Sequence, residues 1–369
     1  MNANTSRQHP AEWEEGAQLF TRTARDLPTG RHQFHKERLM AQIQQEQQEQ
    51  RGEHTGRSAV PAKTRRLRLP RPAIVLPAMA ATVAAAVVAG VAMSDGGGVR
   101  DGGVATGPAL TAEVGAATSK GLPQLLDQIS LVAAKESHPV VKPGQYVYIE
   151  SKTADTFLKT VDDKTSLASH ALHRRQVWNS PDGTKGWLID PAVNTDSAGE
   201  TLSLPDEQGN TPKGSLNYPT YDYLAKLTTD PDQLLALIYK ETKGQGNTPD
   251  QQAFTTIGDL LGESYPPAEL YSALFKTAAK IPGVVVVPEA VDAVGRTGIA
   301  VARLDETSGQ REEWIFDRKT HVFLGERSVQ VKKNTGTEAL MKPGTVTFTS
   351  AILHRAVVDG MKQAPSQAG

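Results

Sequence analysis

Apolar positions follow a different rhythm in each part of the chain, and the changes of rhythm mark its sections. In the first 60 residues they are sparse and reach helical spacing twice. "AEWEEGAQLF" sets Trp13, Ala17 and Phe20 on one helical face, and "RHQFHKERLMAQI" does the same with Phe34, Leu39, Met40 and Ile43. Pro28 and Gly30 separate the two pieces, and the glutamine-rich "QIQQEQQEQRGE" follows as a polar helical tail. So few apolar groups cannot enclose a core, which makes residues 1–60 a short helical and flexible segment.

The rhythm then disappears. Residues 73–93, "AIVLPAMAATVAAAVVAGVAM", carry no charge at all, and a helix of that length spans roughly 31 Å, the hydrocarbon thickness of a bilayer. Alanine-rich as it is, the run is helped by its flanks. Lys63, Arg65, Arg66, Arg68 and Arg71 lie in the linker 61–72 before it, and no acidic residue occurs between Glu53 and Asp95. Basic residues stay on the cytoplasmic side, so the expectation is a single transmembrane helix with the N-terminus inside and the C-terminal part exported. Within it Ala78, Thr82, Ala86 and Gly90 form a row of small residues that offers a homodimer face.

Beyond the span, "SDGGGVRDGGVATGPA" opens a tether expected over 94–120. An α+β domain is expected over 121–360. "GLPQLLDQISLVAAKES" has helical periodicity, "GQYVYIESKT" alternates like a strand, and "DTFLKTVDD" is its expected partner. In "HRRQVWNSPDGTKGWLID" a Ser-Pro-Asp-Gly turn joins two strands and brings Trp178 towards Trp187. Helices follow, the first with Asp230 as N-cap and Pro231 in its first turn, and "PDQQAFTTIGDLLGE" and "PPAELYSALFKTAAKI" after it. After Pro282-Gly283 four alternating segments return, the third of them, "REEWIFDRKTHVFLGERSVQV", closing a tight hairpin at Asp317-Arg318-Lys319-Thr320. Strands, helices, then strands describe a curved antiparallel sheet, half-barrel-like, with a helical insertion over one face.

Charge sharpens the division. Residues 1–72 hold 13 Lys+Arg against 8 Asp+Glu, net +5, while residues 94–369 hold 27 against 33, net −6, an asymmetry hidden in the overall −1. The basic arm suits anionic lipid or an acidic protein, and it has neither the charge density nor the aromatic residues of a nucleic-acid binder. Cysteine is absent, which excludes thiol catalysis, cysteine-ligated zinc and disulfides.

The candidate chemistry is thin. His170 and His173 in "SHALHRR" would offer a metal two imidazoles if helical, but no third ligand is near and two arginines follow, so a solvated pair is expected. Glu312 and Glu313 in "REEWIF" point to opposite faces of a strand, one of them towards solvent near Arg311. His138, His321 and His354 have no nucleophile elbow or metal motif beside them. No catalytic, cofactor-binding or metal-binding residue is therefore assigned, and no enzyme activity is expected. Trp178 and Trp187 fit cross-strand packing better than the lining of an apolar groove.

Several stretches carry a resemblance. "GQYVYIESKT", "RRQVWNSPDGTKGWLI", "TTDPDQLLALIY", "IPGVVVVPEAVDAVGRTGIAVARLDE" and "IFDRKTHVFLGERSV" resemble the exported domain of a family of actinobacterial single-pass membrane proteins of uncharacterised function. The cytoplasmic "ARDLPTGRHQFHKERLMAQI" is similar to the segment those proteins carry before their span, and their genes often lie beside an extracytoplasmic-function sigma factor. The strand pattern also resembles, more distantly, the half-barrel of periplasmic lipoprotein carriers and of sigma-regulatory sensor domains. The resemblance implies a regulatory or sensor protein, its exported domain binding a ligand or an envelope protein and its cytoplasmic segment contacting a sigma factor. The alternative is a membrane-anchored carrier of lipid or lipoprotein, or an envelope chaperone, holding an apolar ligand.

Overall fold

The computed structural model describes residues 100–365, except 102–103, 137, 139, 162–163, 195, 203–212, 246 and 336–338. The expected cytoplasmic segment 1–60, linker 61–72 and transmembrane helix 73–93 lie outside the described residues. Among those described, no helix is long and apolar enough to cross a membrane.

The expected α+β domain forms around a large, open, wholly antiparallel sheet of twelve strands. At its centre lies β3 (Tyr146–Val161). This one strand contains both "GQYVYIESKT" and most of "DTFLKTVDD", so the second does not fold back on the first. Instead β4 (Lys164–His170) returns along the far half of β3, and β5 (His173–Asn179) continues along its near half. The hairpin to β6 (Gly186–Ile189) follows as expected, with Trp178 directly opposite Trp187, and β7 (Glu200–Thr201) lies outside it. On the other edge of β3, β12 (Val346–Val358) begins an antiparallel series with β11 (Phe323–Gln330), β10 (Gln310–Phe316), β9 (Thr297–Leu304) and β8 (Val284–Val291).

The helices cover one face. They are α1 (Leu122–Ala133), the short α2 (Tyr221–Leu224), α3 (Pro231–Glu241), α4 (Pro249–Glu263) and α5 (Ala268–Ala278). Asp230 caps α3, its carboxylate accepting from the amides of Asp232 and Gln233, and Pro231 takes the first turn, where no amide is needed. Thr248 caps α4 in the same way. The main core lies between helices and sheet, where Phe254 stacks on Trp314 with ring centres 3.8 Å apart and Phe275 meets Phe316 edge-on.

The opposite face is also covered, and here the structure corrects the sequence. The stretch expected as a tether over 94–120 is part of the fold from Val104 onward. β2 (Val104–Gly107) pairs with β4, after the two-residue β1 (Arg100–Asp101) that it also pairs with. The chain then forms a strap across the back of the sheet. Leu110 donates to Thr156 Oγ1, Thr111 bridges Thr345, and Thr118 bridges Val286 on β8. Gly115 is needed at the crossing, because a Cβ there would stand 3.0 Å from Val287 Cγ1. Beneath the strap lie a small apolar cluster with Ala300, Ala302 and Ile315 and a buried ion triad. Glu313, fully buried, is held by Arg311 and Arg327, each with Nε 2.7 Å from a carboxylate oxygen, and Arg311 also donates to the carbonyl of Gly115. Neither Glu312 nor Glu313 faces solvent, contrary to expectation.

Candidate functional site

Strand register shows what the helices cover. Reading across the sheet on their side, Trp314 stands opposite Glu326, Glu326 opposite Ser350, Ser350 opposite Thr153, and Thr153 opposite His173. The next row runs from Arg303 through Glu312, Ser328 and Phe348 to Asp155. The inner face is therefore apolar over β8, β9 and the end of β10, while across β11, β12 and β3 these two rows are mostly polar, with Phe323, Ile352 and Ile149 packing against the helices further along the same face. The two zones differ in access as well. Val301, Trp314 and Phe316 are 0% exposed, whereas Glu326, Ser350, Thr153, Ser328 and Asp155 retain 6–9%. A narrow polar layer between α4 and the sheet, called the cleft below, thus lies beside a more tightly sealed apolar core.

Helix α4 forms the other wall. From Gln251 to Gly262 every residue is buried, so the helix runs through the interior although much of its sequence is polar. Gln251, Thr255 and Gly258 face β9 and β10. Thr255 Oγ1 donates to Glu312 at 2.8 Å, Gln251 bridges Glu312 and Arg303, and a Cβ on Gly258 would be 2.5 Å from Trp314 Nε1. Glycine is what permits this approach. The adjoining stripe, Gln252, Thr256, Asp259 and Glu263, follows at spacings of three and four and shares one side of the helix. Glu263 reaches Arg175 on β5 at 2.9 Å, which turns that side towards the polar rows. Thr256 is 2% exposed, and its Oγ1 has no hydrogen-bond partner.

At the β5 end the cleft closes in an ionic network. His173 Nε2 lies 3.0 Å from Asp190 Oδ1 and 3.1 Å from Thr153 Oγ1, while its Nδ1 faces the carbonyl of Ala171. Arg175 Nε lies 3.5 Å from Asp190 and carries the chain on to Glu263. Burial works against the charge on His173, but the hydrogen bond and charge of Asp190 prevail and raise the imidazole above its ordinary value. Asp190 is likewise held below the usual range, with its own burial outweighed by His173 and Arg175. With a carbonyl at one nitrogen and a carboxylate at the other, both ring nitrogens are engaged and this histidine is a structural node. Neither nitrogen is left over to activate the hydroxyl of Thr153.

His170 sits beside it, with Nδ1 2.9 Å from Asp155. Residues three apart on a strand normally face opposite ways. The break at Ala171-Leu172 between β4 and β5 puts both histidines on the helix side, half-buried and each facing a carboxylate, where a solvated surface pair was expected. Among the described residues no group of three or more metal-ligating side chains converges.

The remaining candidates fall elsewhere. Trp178 and Trp187 lie on the sheet face away from the helices, where Trp178 packs on Tyr148 and donates to the carbonyl of Gln363 in the C-terminal tail. Lys362 from the same tail lies 3.4 Å over the ring of Trp187. These tryptophans are covered by the chain's own end. His138 is wedged between the rings of Tyr265 and Tyr271, and His321 occupies the left-handed position of the β10–β11 turn. His354 follows the bulge in β12.

The sequence analysis missed this polar layer because it read these strands as simple alternation. β10, β11, β12 and β3 carry polar residues at both parities, as in Glu312-Glu313, Glu326-Arg327-Ser328, Thr349-Ser350 and Glu150-Ser151-Lys152-Thr153. That doubling was the available signal of a sheet polar on both faces. No protein-family model matches the chain, and no curated protein is similar to it.

Proposed function

We propose that this is a single-pass membrane protein, N-terminus inside, whose exported α+β domain is a half-barrel-like sensor that binds a ligand between α4 and the sheet. The cytoplasmic segment 1–60 passes the bound state to a transcription regulator such as a sigma factor. The observation that carries this reading is the cleft itself, two rows of hydrogen-bonding side chains kept between helix and sheet beside a densely packed core. Burying polar groups costs stability that an apolar interface would not lose, so a cleft of this kind is an expected feature of a binding domain.

The charge asymmetry and the uncharged run 73–93 supply the topology, and the likeness to actinobacterial membrane proteins encoded beside sigma factors supplies the class of cytoplasmic partner. The geometry at His173 fits binding better than acid–base catalysis, since its nitrogens are engaged by a carboxylate and a carbonyl. An anchored carrier of lipid or lipoprotein would line the zone beside α4 with apolar side chains. Glu326, Ser328, Ser350, Thr153 and Asp155 stand there, with apolar Phe323, Ile352 and Ile149 further along the same face, which favours a polar ligand and puts the carrier reading second.

The test is affinity purification of the full-length protein from its native membrane beside a form lacking residues 1–60. A transcription regulator bound by the first and lost from the second supports the proposal. Equal recovery of the same proteins by both forms, with target transcripts unchanged, refutes it.

A further inference from the structure

We infer that residues 108–120 form a releasable strap, which detaches as a unit from the back of the sheet, stops at α1 and leaves the sheet folded, and that this release couples the exported domain to the membrane span. The coupling rests on the proposed reading of the chain as a single-pass sensor, whereas the release rests on the contacts alone. Three observations carry it.

The first is how lightly the strap is held. From Pro108 to Lys120 no residue is buried, and the segment joins no ladder, making single bridges at Thr111 and Thr118 instead. Its pins are separate points. Ser169 Oγ donates to the carbonyl of Pro108, Leu110 donates to Thr156 Oγ1 and accepts from Val346, Ala112 donates to Gly344, Arg311 donates to the carbonyl of Gly115, and Thr118 exchanges both backbone bonds with Val286. A segment with little buried apolar surface and exposed backbone bonds is the first to open.

The second is where opening stops. Gly121, left-handed at φ 79°, joins the strap to α1, and no atom of the fold crowds it, so the backbone is free to turn there. Just beyond, Leu125, Leu126 and Ile129 are buried in the main core and Ser130 bonds Ser272 on α5, which makes α1 a firm stop. The third is what release leaves behind. Glu313 keeps both Arg311 and Arg327 without the strap, and the apolar cluster beneath is rich in alanine, with Ala290, Ala300 and Ala302. Detachment therefore strands no unpaired carboxylate and bares little apolar surface. In chain order the strap lies between the uncharged run 73–93 and the first residue of the main core, so a displacement of the span reaches the strap before that core.

The test uses the full-length protein in detergent, with hydrogen exchange read at single amides by mass-spectrometric fragmentation. Ala112, Thr118 and Val286, whose amides bond between strap and sheet, should exchange at least about tenfold faster than the β12 amides from Thr349 to Ala351. The chain has no cysteine, so Thr111→Cys with Thr345→Cys introduces a single pair. These positions face each other between the bonds from Ala112 to Gly344 and from Val346 to Leu110, the close pairing of an antiparallel bridge, which suits a disulfide. Oxidation should slow Ala112 and Thr118 together by about tenfold, and reduction should restore both. Gly115→Val, whose Cβ would stand 3.0 Å from Val287 Cγ1 and 3.2 Å from the Glu289 carbonyl oxygen, should instead speed Thr118 and Val286 and leave β12 unchanged. Exchange of strap and β12 at one rate, or slowing confined to Ala112, overturns the release. In native membranes the oxidised and reduced forms of the cysteine pair should differ about fivefold in recovery of the cytoplasmic regulator, and equal recovery overturns the coupling. If neither form recovers a regulator while the exchange results hold, the sensor reading fails and the releasable strap stands.

Discussion

The two glycines of α4 provide a matched pair of perturbations. A Cβ at Gly258 would lie 2.5 Å from Trp314 Nε1 and 2.8 Å from Glu312 Oε1, whereas at Gly262 the nearest atom would be Glu326 Oε1 at 3.8 Å, an ordinary contact. Replacing glycine by alanine inside a helix gains roughly 0.8–1 kcal/mol of intrinsic helix stability. Gly262, one residue from the helix end, should realise part of that gain. At Gly258 the same gain is opposed by an overpacking cost of about 1–3 kcal/mol, because Trp314 is clamped by Phe254 and cannot move away. Since the propensity terms largely cancel, Gly258→Ala should be less stable than Gly262→Ala by about 1–3 kcal/mol. The assay is urea denaturation of the full-length protein and both variants, followed by tryptophan fluorescence, with Gly262→Ala expected at or above the wild-type midpoint. If both variants are stabilised equally, α4 does not sit this close to the sheet and the cleft beside it is not narrow.

Other consequences follow from the same structure. Glu313→Ala strands two buried arginines under the strap and should cost about 3–5 kcal/mol, visible as a large fall in the denaturation midpoint, whereas Glu312→Gln keeps its neutral donors and should cost far less. The His173–Asp190 pair should make stability depend on pH at both ends. The raised imidazole contributes fully below its unfolded value near 6.5 and loses that contribution as pH rises through its folded value, while the lowered Asp190 contributes above 3.8 and loses it as pH falls through its own. The stability gap between wild type and His173→Gln, measured by denaturation across pH, should therefore be widest between those limits and narrow on the alkaline side. Asp230→Ala removes the cap that accepts from Asp232 and Gln233 and should cost about 1 kcal/mol, with a loss of helical circular dichroism confined to α3.

The fold was legible in the sequence where local chemistry decides it. The Asp230-Pro231 start of α3, the Ser-Pro-Asp-Gly hairpin and the alternation of β8 and β9 could all be read, because caps, turns and one-sided burial leave marks within a few residues. Three features could not. The glycine-rich sequence here reads as a tether, yet Gly115 acts by letting the strap approach Val287, a contact made with a strand far along the chain. α4 reads as a half-solvated helix because Thr255, Thr256 and Asp259 are polar, and only the position of Glu312 and of the polar rows reveals that this face is interior. His170 and His173 share a face because of a break in pairing with β3, which depends on β4 and β5 binding the same neighbour. In each case the deciding partner lies outside the local segment, 15 residues away or more.

The central claim is that the cleft beside α4 holds a polar ligand, and native mass spectrometry of the full-length protein released gently from its own membrane tests it most directly. The account predicts a small polar molecule, bound to the wild type and depleted from Thr256→Val. An equally occupied Thr256→Val, or lipid as the sole bound species, would contradict it.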